Sequence, residues 1–398
     1  MIPRNEYLES LISFRDKQLI KVVTGIRRCG KSTLFELYQE HLLQNGVEPE
    51  QIIAFNLEDG DYADIEDNKA LYDLVRARLL PDKMNYIFLD EVQRVKDFQK
   101  AVDGLFIKKN CDVYITGSNA YLLSGELATL LSGRYVEIKM LPLSFKEYVS
   151  AFPADSSKDR LYQQYLHNSY IPYTLELKRP KDIRQYLEGI YDSIVLKDIV
   201  ARKRFQDVAM LGSVVRFLFD NIGNMCSTKK IADTMTSAGR KISVHTVESY
   251  LTALTDSFIF YRVGRYDIKG KQYLKTGDKY YAADIGLRYN VLGTKKADQG
   301  HILENIVYLE LLRRGYEVYV GKVGAAEVDF IAIGDEGEEY YQVAYTVIDT
   351  DGSTLERELG PLDAISDHNP KYLLTMDFTP LTSHNGIKQI NVLDWLLK

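Results

Sequence analysis

Apolar positions along the chain follow two rhythms. Over the first third, short apolar runs at residues 19–25 (LIKVVTG), 52–58 (IIAFNLE), 85–92 (NYIFLDEV) and 112–118 (DVYITGS) alternate with longer amphipathic stretches. Apolar runs of that length are strands covered on both faces, and strands alternating with helical periods predict a parallel sheet flanked by helices. From about Leu143 the period becomes helical in FKEYVSAF, DRLYQQYLHNSY and PKDIRQYLEGIYDSIVLKDIVARK, which predicts a helical lid or linker. Residues 210–275 predict three helices and a hairpin, the outline of a winged helix-turn-helix. Ser227 and Ser243 are placed to cap the second and third helices, with Gly239 in the turn between them. The remainder opens with the helical ILENIVYLELLRRG and continues through strand-like EVYVGKV, EVDFIAIG, EYYQVAYTV and KYLLTMD to a final short strand and helix.

Two segments carry chemistry on this frame. Gly25-Ile26-Arg27-Arg28-Cys29-Gly30-Lys31-Ser32-Thr33 fits the GxxxxGKS/T pattern, directly after an apolar strand and directly before an amphipathic helix. Glycines at 25 and 30 let the backbone curl its N–H groups onto phosphates, and the helix adds its positive end. Lys31 is placed for the β and γ phosphates of ATP, and the Ser32 hydroxyl for Mg2+. Tyr86-Ile87-Phe88-Leu89-Asp90-Glu91 supplies an apolar strand ending in two acids. Asp90 is expected to hold the metal and Glu91 to activate the attacking water. Ser118 and Asn119, at the end of the fourth run, either sense the γ phosphate or form a plain turn. Arg134 in LLSGRYVEI is either a transition-state arginine, in cis or toward a neighbouring subunit, or part of a surface salt bridge. Arg27 and Arg28 are expected to be exposed or paired with the protein's own acids, and Glu58 stands at a strand end where it could support the metal.

This order of motifs, with TGSN at 116–119 and LSGR at 131–134, resembles the bacterial and archaeal AAA-type ATPases with a C-terminal domain of the DUF4143 type. Lys279-Tyr280-Tyr281-Ala282-Ala283-Asp284-Ile285-Gly286-Leu287 also matches that family's pattern. The resemblance implies an ATPase core and a winged helix. One departure is His167-Asn168-Ser169-Tyr170-Ile171-Pro172, where the family shows a Gly-Gly pair before the proline, which counts against a tight glycine turn there. The expected fold class is α/β. A P-loop AAA-type domain spans 1–145, a helical lid or linker 146–209, a winged helix-turn-helix 210–278 and a degenerate restriction-endonuclease-like domain 279–398.

Charge sharpens the second half. The chain carries a net charge of −6, yet residues 210–275 hold ten Lys/Arg against five Asp/Glu, a net of +5. Arg240 and Lys241 precede the third helix, and Arg262, Arg265, Lys269, Lys271 and Lys275 lie along the hairpin, positions suited to duplex DNA. A docking surface for the chain's own acidic region is the competing explanation. Residues 300–398 hold seventeen Asp/Glu against seven Lys/Arg, a net of −10. There the order of Glu304, Glu327-Val328-Asp329 and Gln342-Val343-Ala344 resembles the restriction-endonuclease-like fold, in which the Asp and the following acidic or Gln position bind magnesium, and Ala344 stands where that family's lysine belongs. The resemblance thus implies an inactive, structural or partner-binding domain. Cys29, Cys111 and Cys226 are too scattered for a disulfide framework or a zinc site. No apolar leader opens the chain, and no run approaches the roughly 18 apolar residues that span a bilayer. A cytoplasmic ATP-dependent switch, open to oligomerisation, is the leading expectation. A DNA-bound regulator and an ATP-driven nuclease are its rivals.

Overall fold

The computed structural model describes residues 2–120, 131, 133–200, 203, 205–293, 299–349, 352–378 and 382–398, the side chains of 196, 197, 275 and 276 excepted. Ser132 of the LSGR segment and the Lys275 side chain lie outside the described residues. The chain forms two compact units. One comprises Met1–Pro142, Ile171–Tyr173 and Asp256–Phe258, the other Leu143–Tyr170, Thr174–Thr255 and Ile259–Lys398.

The first unit is a five-stranded sheet in the order β2-β3-β4-β1-β5, formed by β1 (Ile20–Thr24), β2 (Ile52–Asn56), β3 (Asn85–Asp90), β4 (Cys111–Gly117) and β5 (Tyr135–Lys139). All four neighbouring pairs are parallel. Helices α1 (Asn5–Ser13), α2 (Lys31–Gln44), α3 (Asn68–Arg76) and α4 (Phe98–Phe106) accompany it. Every residue of β1 and β3 is buried, which is why both read as predominantly apolar, with Lys21 of β1 paired to Asp112 of β4. The edge strand β5, only partly buried and mixed in character, escaped the apolar pattern. The register aligns Thr24 with Gly117, Leu89 with Ile115 and Asn56 with Asp90, so β1, β3 and β4 end along one edge of the sheet. That edge gathers Gly25, Asp90, Glu91, Ser118 and Asn119, which the sequence scatters over almost a hundred positions.

The second unit begins with the helices Phe145–Val149, Lys158–Asn168 and Pro180–Asp192, the last continued by a π-helical turn at Ser193–Val200. Ser169 adopts φ +82, so the backbone takes a positive-φ turn before Pro172 although no glycine stands there. The Asp284 carboxylate holds it, accepting from the Ser169 hydroxyl at 2.8 Å and the Tyr170 N–H at 2.5 Å. Helices Val208–Asp220, Thr228–Ser237 and Val244–Asp256 follow, and Ser227 and Ser243 accept N–H groups of the first turns that follow them.

The expected hairpin after these helices is present but belongs to a larger sheet. Strands β6 (Phe260–Asp267) and β7 (Gln272–Ala282) form the end of an eight-stranded sheet with β8 (Glu317–Val323), β9 (Ala326–Gly334), β10 (Gly337–Ala344), β11 (Lys371–Thr375), β12 (Thr382–His384) and β13 (Ile387–Asn391), in the order β12-β13-β11-β10-β9-β8-β6-β7. β6 pairs in parallel with β8, and the buried Phe260, Val263, Tyr281 and Ala282 tie the hairpin into the core. Burial of those side chains makes the hairpin continuous with the sheet, so a boundary at 278 falls inside β7. The helix Gln299–Arg313 is buried almost all round, including Glu304, Asn305 and Glu310.

Candidate functional site

The loop between β1 and α2 is bent where glycine is required. Gly25 has φ +153, and a Cβ there would lie 2.1 Å from the carbonyl oxygen of Met140. Arg28 and Gly30 follow at φ +68 and +103, a left-handed curl of the kind that turns backbone N–H groups toward an anion. Ile26 and Cys29 are buried and Arg28 is exposed. At the start of α2 no side chain caps the helix and no acid stands in the first turn, leaving its positive end available to an anion. Lys31 is 4% exposed. Its ammonium lies 3.1 and 3.2 Å from the Gly25 and Ile26 carbonyl oxygens and 4.0 Å from Glu91 Oε1. Ser32 is exposed and Thr33 half-buried in the following turn.

Asp90 ends β3, buried, and accepts a hydrogen bond from the Thr116 hydroxyl of β4. The same hydroxyl accepts the Glu91 N–H at 2.9 Å. Glu91 sits at φ +53, a left-handed conformation that costs a non-glycine residue roughly 1–2 kcal/mol. Gln93 donates its amide to Glu91 Oε2 at 2.5 Å and stands 3.5 Å from Ser118 Oγ. Asn119 is 3% exposed, and among the described residues neither its amide nitrogen nor its amide oxygen has a hydrogen-bond partner. A buried amide with no partner is costly, and a missing ligand is one reason to keep it. An anion at the loop therefore fits these residues: a glycine cradle, a buried ammonium and an unpartnered amide converge on one sheet edge.

Other predicted residues are occupied elsewhere. Arg27 pairs with Glu58 at 2.8 Å, and Arg94 reaches the same carboxylate at 3.2 Å. Partial burial pushes the Glu58 carboxyl up, but the two guanidinium groups bring it below the usual range, and it serves this network. Arg134 takes the salt-bridge alternative. Its carbonyl accepts the Ile20 N–H at 2.8 Å at the start of β1, and its guanidinium pairs with Asp103 and lies over Phe106. With a rise of about 3.3 Å per residue along β1, its backbone is on the order of 15 Å from Gly25. Thr116, Gln93 and Arg4 were missed. Thr116 stood within the TGSN segment, but nothing local marked Arg4, whose partners lie at Cys29 and Leu141.

A second polar cluster occupies the second unit. Ala344 ends β10, and Lys279 of β7 brings an ammonium group to the cluster. Its ammonium lies 2.8 Å from Glu304, 2.9 Å from Glu327 and 4.0 Å from Asp329. The Tyr281 hydroxyl donates to Glu304 at 2.5 Å, and Asp329 accepts the Val343 N–H at 2.9 Å. Gln342 accepts the Asp329 N–H and donates to Glu358. Burial, and then the charge of Glu304, push the Asp329 carboxyl well up. Burial alone would lower the Lys279 ammonium, but its three carboxylate neighbours raise it. Among the described residues, no group of three or more His, Cys, Asp or Glu could hold a metal ion. Of the basic residues predicted to meet DNA, Arg262 pairs with Asp278 at 2.7 Å and Arg240 donates to the Ala209 carbonyl and the Ser213 hydroxyl. Lys241, Lys269 and Lys271 are exposed, as are Lys229 and Lys230.

Comparison with known proteins places both halves. The family model AAA_14, an AAA domain, matches residues 17–149, and a domain of unknown function, DUF8612, matches residues 159–298. The second match corrects the DUF4143-type region that the sequence suggested. An uncharacterized protein of Haemophilus influenzae is 43% identical over 402 residues, covering 100% of this chain and 99% of that protein. One of Methanocaldococcus jannaschii is 30% identical over 361 residues, covering 85% and 77%. The solved structure of a Walker-type ATPase of Pyrococcus abyssi shares the fold with a TM-score of 0.50 at 14% identity, covering 73% of this chain and 96% of that one. Among the described residues, no helix is long and apolar enough to cross a membrane. The cradle, the strand order and these relatives agree: the chain belongs to the family of its Haemophilus and Methanocaldococcus relatives and carries an AAA-type P-loop ATPase domain followed by a mixed α/β region.

Proposed function

We propose that the protein binds ATP with Mg2+ at residues 25–33 and hydrolyses it, using nucleotide state as a switch. The observation that carries this reading is the buried Lys31 ammonium, held in a glycine-bent loop by two backbone carbonyls at 3.1 and 3.2 Å, with the Glu91 carboxylate 4.0 Å away. Lys31 and the loop N–H groups would neutralise the β and γ phosphates. Ser32 and Asp90 would hold the metal, which supplies charge neutralisation to the phosphates when bound. Glu91 would take the proton of the attacking water, and Asn119, with Ser118 beside it, would donate to the γ phosphate. Replacing Glu91 with Gln removes the base while keeping the shape. Nucleotide affinity is expected to hold while turnover falls by about 10²–10⁴-fold. Unchanged ATP turnover in Glu91→Gln sinks the assignment.

A second reading, a DNA-bound regulator with nucleotide as its affinity switch, is favoured by the exposed Lys229, Lys230, Lys241, Lys269 and Lys271 in a region of net charge +5. Titration with duplex DNA at low and high salt tests it. A steep salt dependence supports DNA binding, and no binding at low salt removes it. The net charge of −10 over residues 300–398 suits a protein partner instead. An ATP-driven nuclease is disfavoured because Lys279 is already bound between carboxylates.

A further inference from the structure

Behind the phosphate loop lies a charged group from the start of the chain. Arg4, directly ahead of α1, is 3% exposed. One Nη donates to the Cys29 carbonyl oxygen at 2.9 Å. The other donates to the carbonyl oxygens of Leu141 at 2.7 Å and Pro142 at 3.5 Å. The guanidinium lies 4.9 Å from the Tyr7 ring centre, and the Tyr7 hydroxyl accepts the Leu141 N–H at 3.1 Å. A Cβ on Gly30 would lie 3.8 Å from the same Nη that holds Cys29, so the cation sits directly against the loop.

The bond to Cys29 has a consequence on the other side of the same peptide. In a planar trans peptide the C=O and the following N–H point in opposite directions. Drawing the Cys29 carbonyl back onto Arg4 therefore turns the Gly30 N–H away from Arg4. Gly30, at φ +103, is the residue at which such a peptide rotates with least steric resistance. Rotated by half a turn, the peptide would present a carbonyl oxygen where the loop needs an N–H, and phosphate would meet the negative end of the dipole.

We propose that Arg4 is a positioning residue for phosphate binding. It locks the Cys29–Gly30 peptide in its anion-accepting orientation and places a permanent positive charge beneath the loop. The inference rests on the ATP reading above. The competing explanation is a clasp that merely fixes α1 to the chain at 141–142, and Tyr7 separates the two, because it shares the clasp but not the loop.

The experiment uses the full chain with Arg4→Met, Arg4→Lys and Tyr7→Phe, measuring KM and kcat for ATP and the unfolding midpoint without nucleotide. Arg4→Met is expected to raise KM on the order of tenfold, as for one lost charged hydrogen bond, with kcat at saturation within about threefold. Arg4→Lys, whose ammonium reaches the carbonyl without the fork, should raise KM less. Tyr7→Phe should lower the midpoint and leave KM alone. If Arg4→Met lowers the midpoint but keeps the KM of the unsubstituted protein, Arg4 is only a clasp and the inference is overturned. Where Arg4→Met fails to fold, Arg4→Lys decides: a raised KM supports the inference and an unchanged KM overturns it. If the unsubstituted protein neither binds nor hydrolyses ATP, the ATP reading falls and takes this inference with it.

Discussion

Lys31 and Lys279 are both 4% exposed, and both face carboxylates, yet the two are satisfied in opposite ways. Lys279 is enclosed by Glu304 and Glu327 at 2.8 and 2.9 Å, with Asp329 at 4.0 Å and Tyr281 completing the Glu304 carboxylate. Lys31 has two backbone carbonyls at 3.1 and 3.2 Å and one carboxylate at 4.0 Å. A buried charge that finds close opposite charges becomes part of the structure, whereas one held mostly by neutral dipoles keeps a strong affinity for an arriving anion. The difference teaches that burial of a lysine does not by itself mark a site. What marks it is how little of its charge is already answered, and here the unpartnered amide of Asn119 repeats the sign on the same sheet edge.

Exchanging each lysine for methionine gives the largest contrast. Lys279→Met leaves buried carboxylates without their cation and is expected to destabilise the second unit by about 3–5 kcal/mol, read from chemical denaturation. Lys31→Met should cost little stability but abolish measurable binding in a nucleotide titration. Equal behaviour of the two variants would erase the distinction between closed and open sites. Next in size, Asn119→Ala removes an unpartnered buried amide, so turnover should fall about 10²-fold, as for other single preorganised donors, while the unfolding midpoint does not drop. A drop in midpoint without loss of turnover would make Asn119 structural.

The third test uses pH. The Asp329 carboxyl is raised well above its ordinary value in the folded state, so between that value and the folded one the native protein holds a proton that the unfolded chain releases. This group's effect is therefore to make stability fall as pH rises through that window, by up to about 1.4 kcal/mol per pH unit. Lys279, raised as well, contributes stability that persists through neutral pH and is lost only at alkaline pH, as its folded ammonium titrates. Denaturation midpoints across pH 4–8 should show the slope, and Asp329→Asn should flatten it. The smallest effect is expected at Arg134, whose pairing with Asp103 is half-exposed. Arg134→Ala should cost less than about 1 kcal/mol of stability and leave ATP turnover within twofold. A large loss of turnover that depends on protein concentration would instead show the arginine acting on a neighbouring subunit.

Much of the first unit was legible because its chemistry is contiguous. Nine consecutive residues, 25–33, carry the cradle, and two adjacent acids close an apolar strand. Strands buried on both faces announce themselves as apolar runs, whereas the edge strand β5, with one side half in water, did not. The hairpin at 260–282 was read as a wing because three helices, the second and third with serine caps, precede it. Its tyrosines equally suit a sheet member, and the pairing of β6 with β8 makes it one. Similarly, no local pattern could show that Lys279 of β7 pairs with Glu304 and Glu327.

By itself the sequence determined the cradle, its flanking strand and helix, and the acids that end β3, because glycine conformational freedom, strand burial and helix capping are local consequences of residue type. Tertiary structure alone decided which charges stay unanswered. Arg4 reaches Cys29 and Leu141, Thr116 ties Asp90 to Glu91, Arg134 is drawn to the far end of β1, and Lys279 neutralises carboxylates assembled from a helix and β9. Electrostatic satisfaction depends on distances between segments far apart in the chain, and those distances exist only once the sheets have formed.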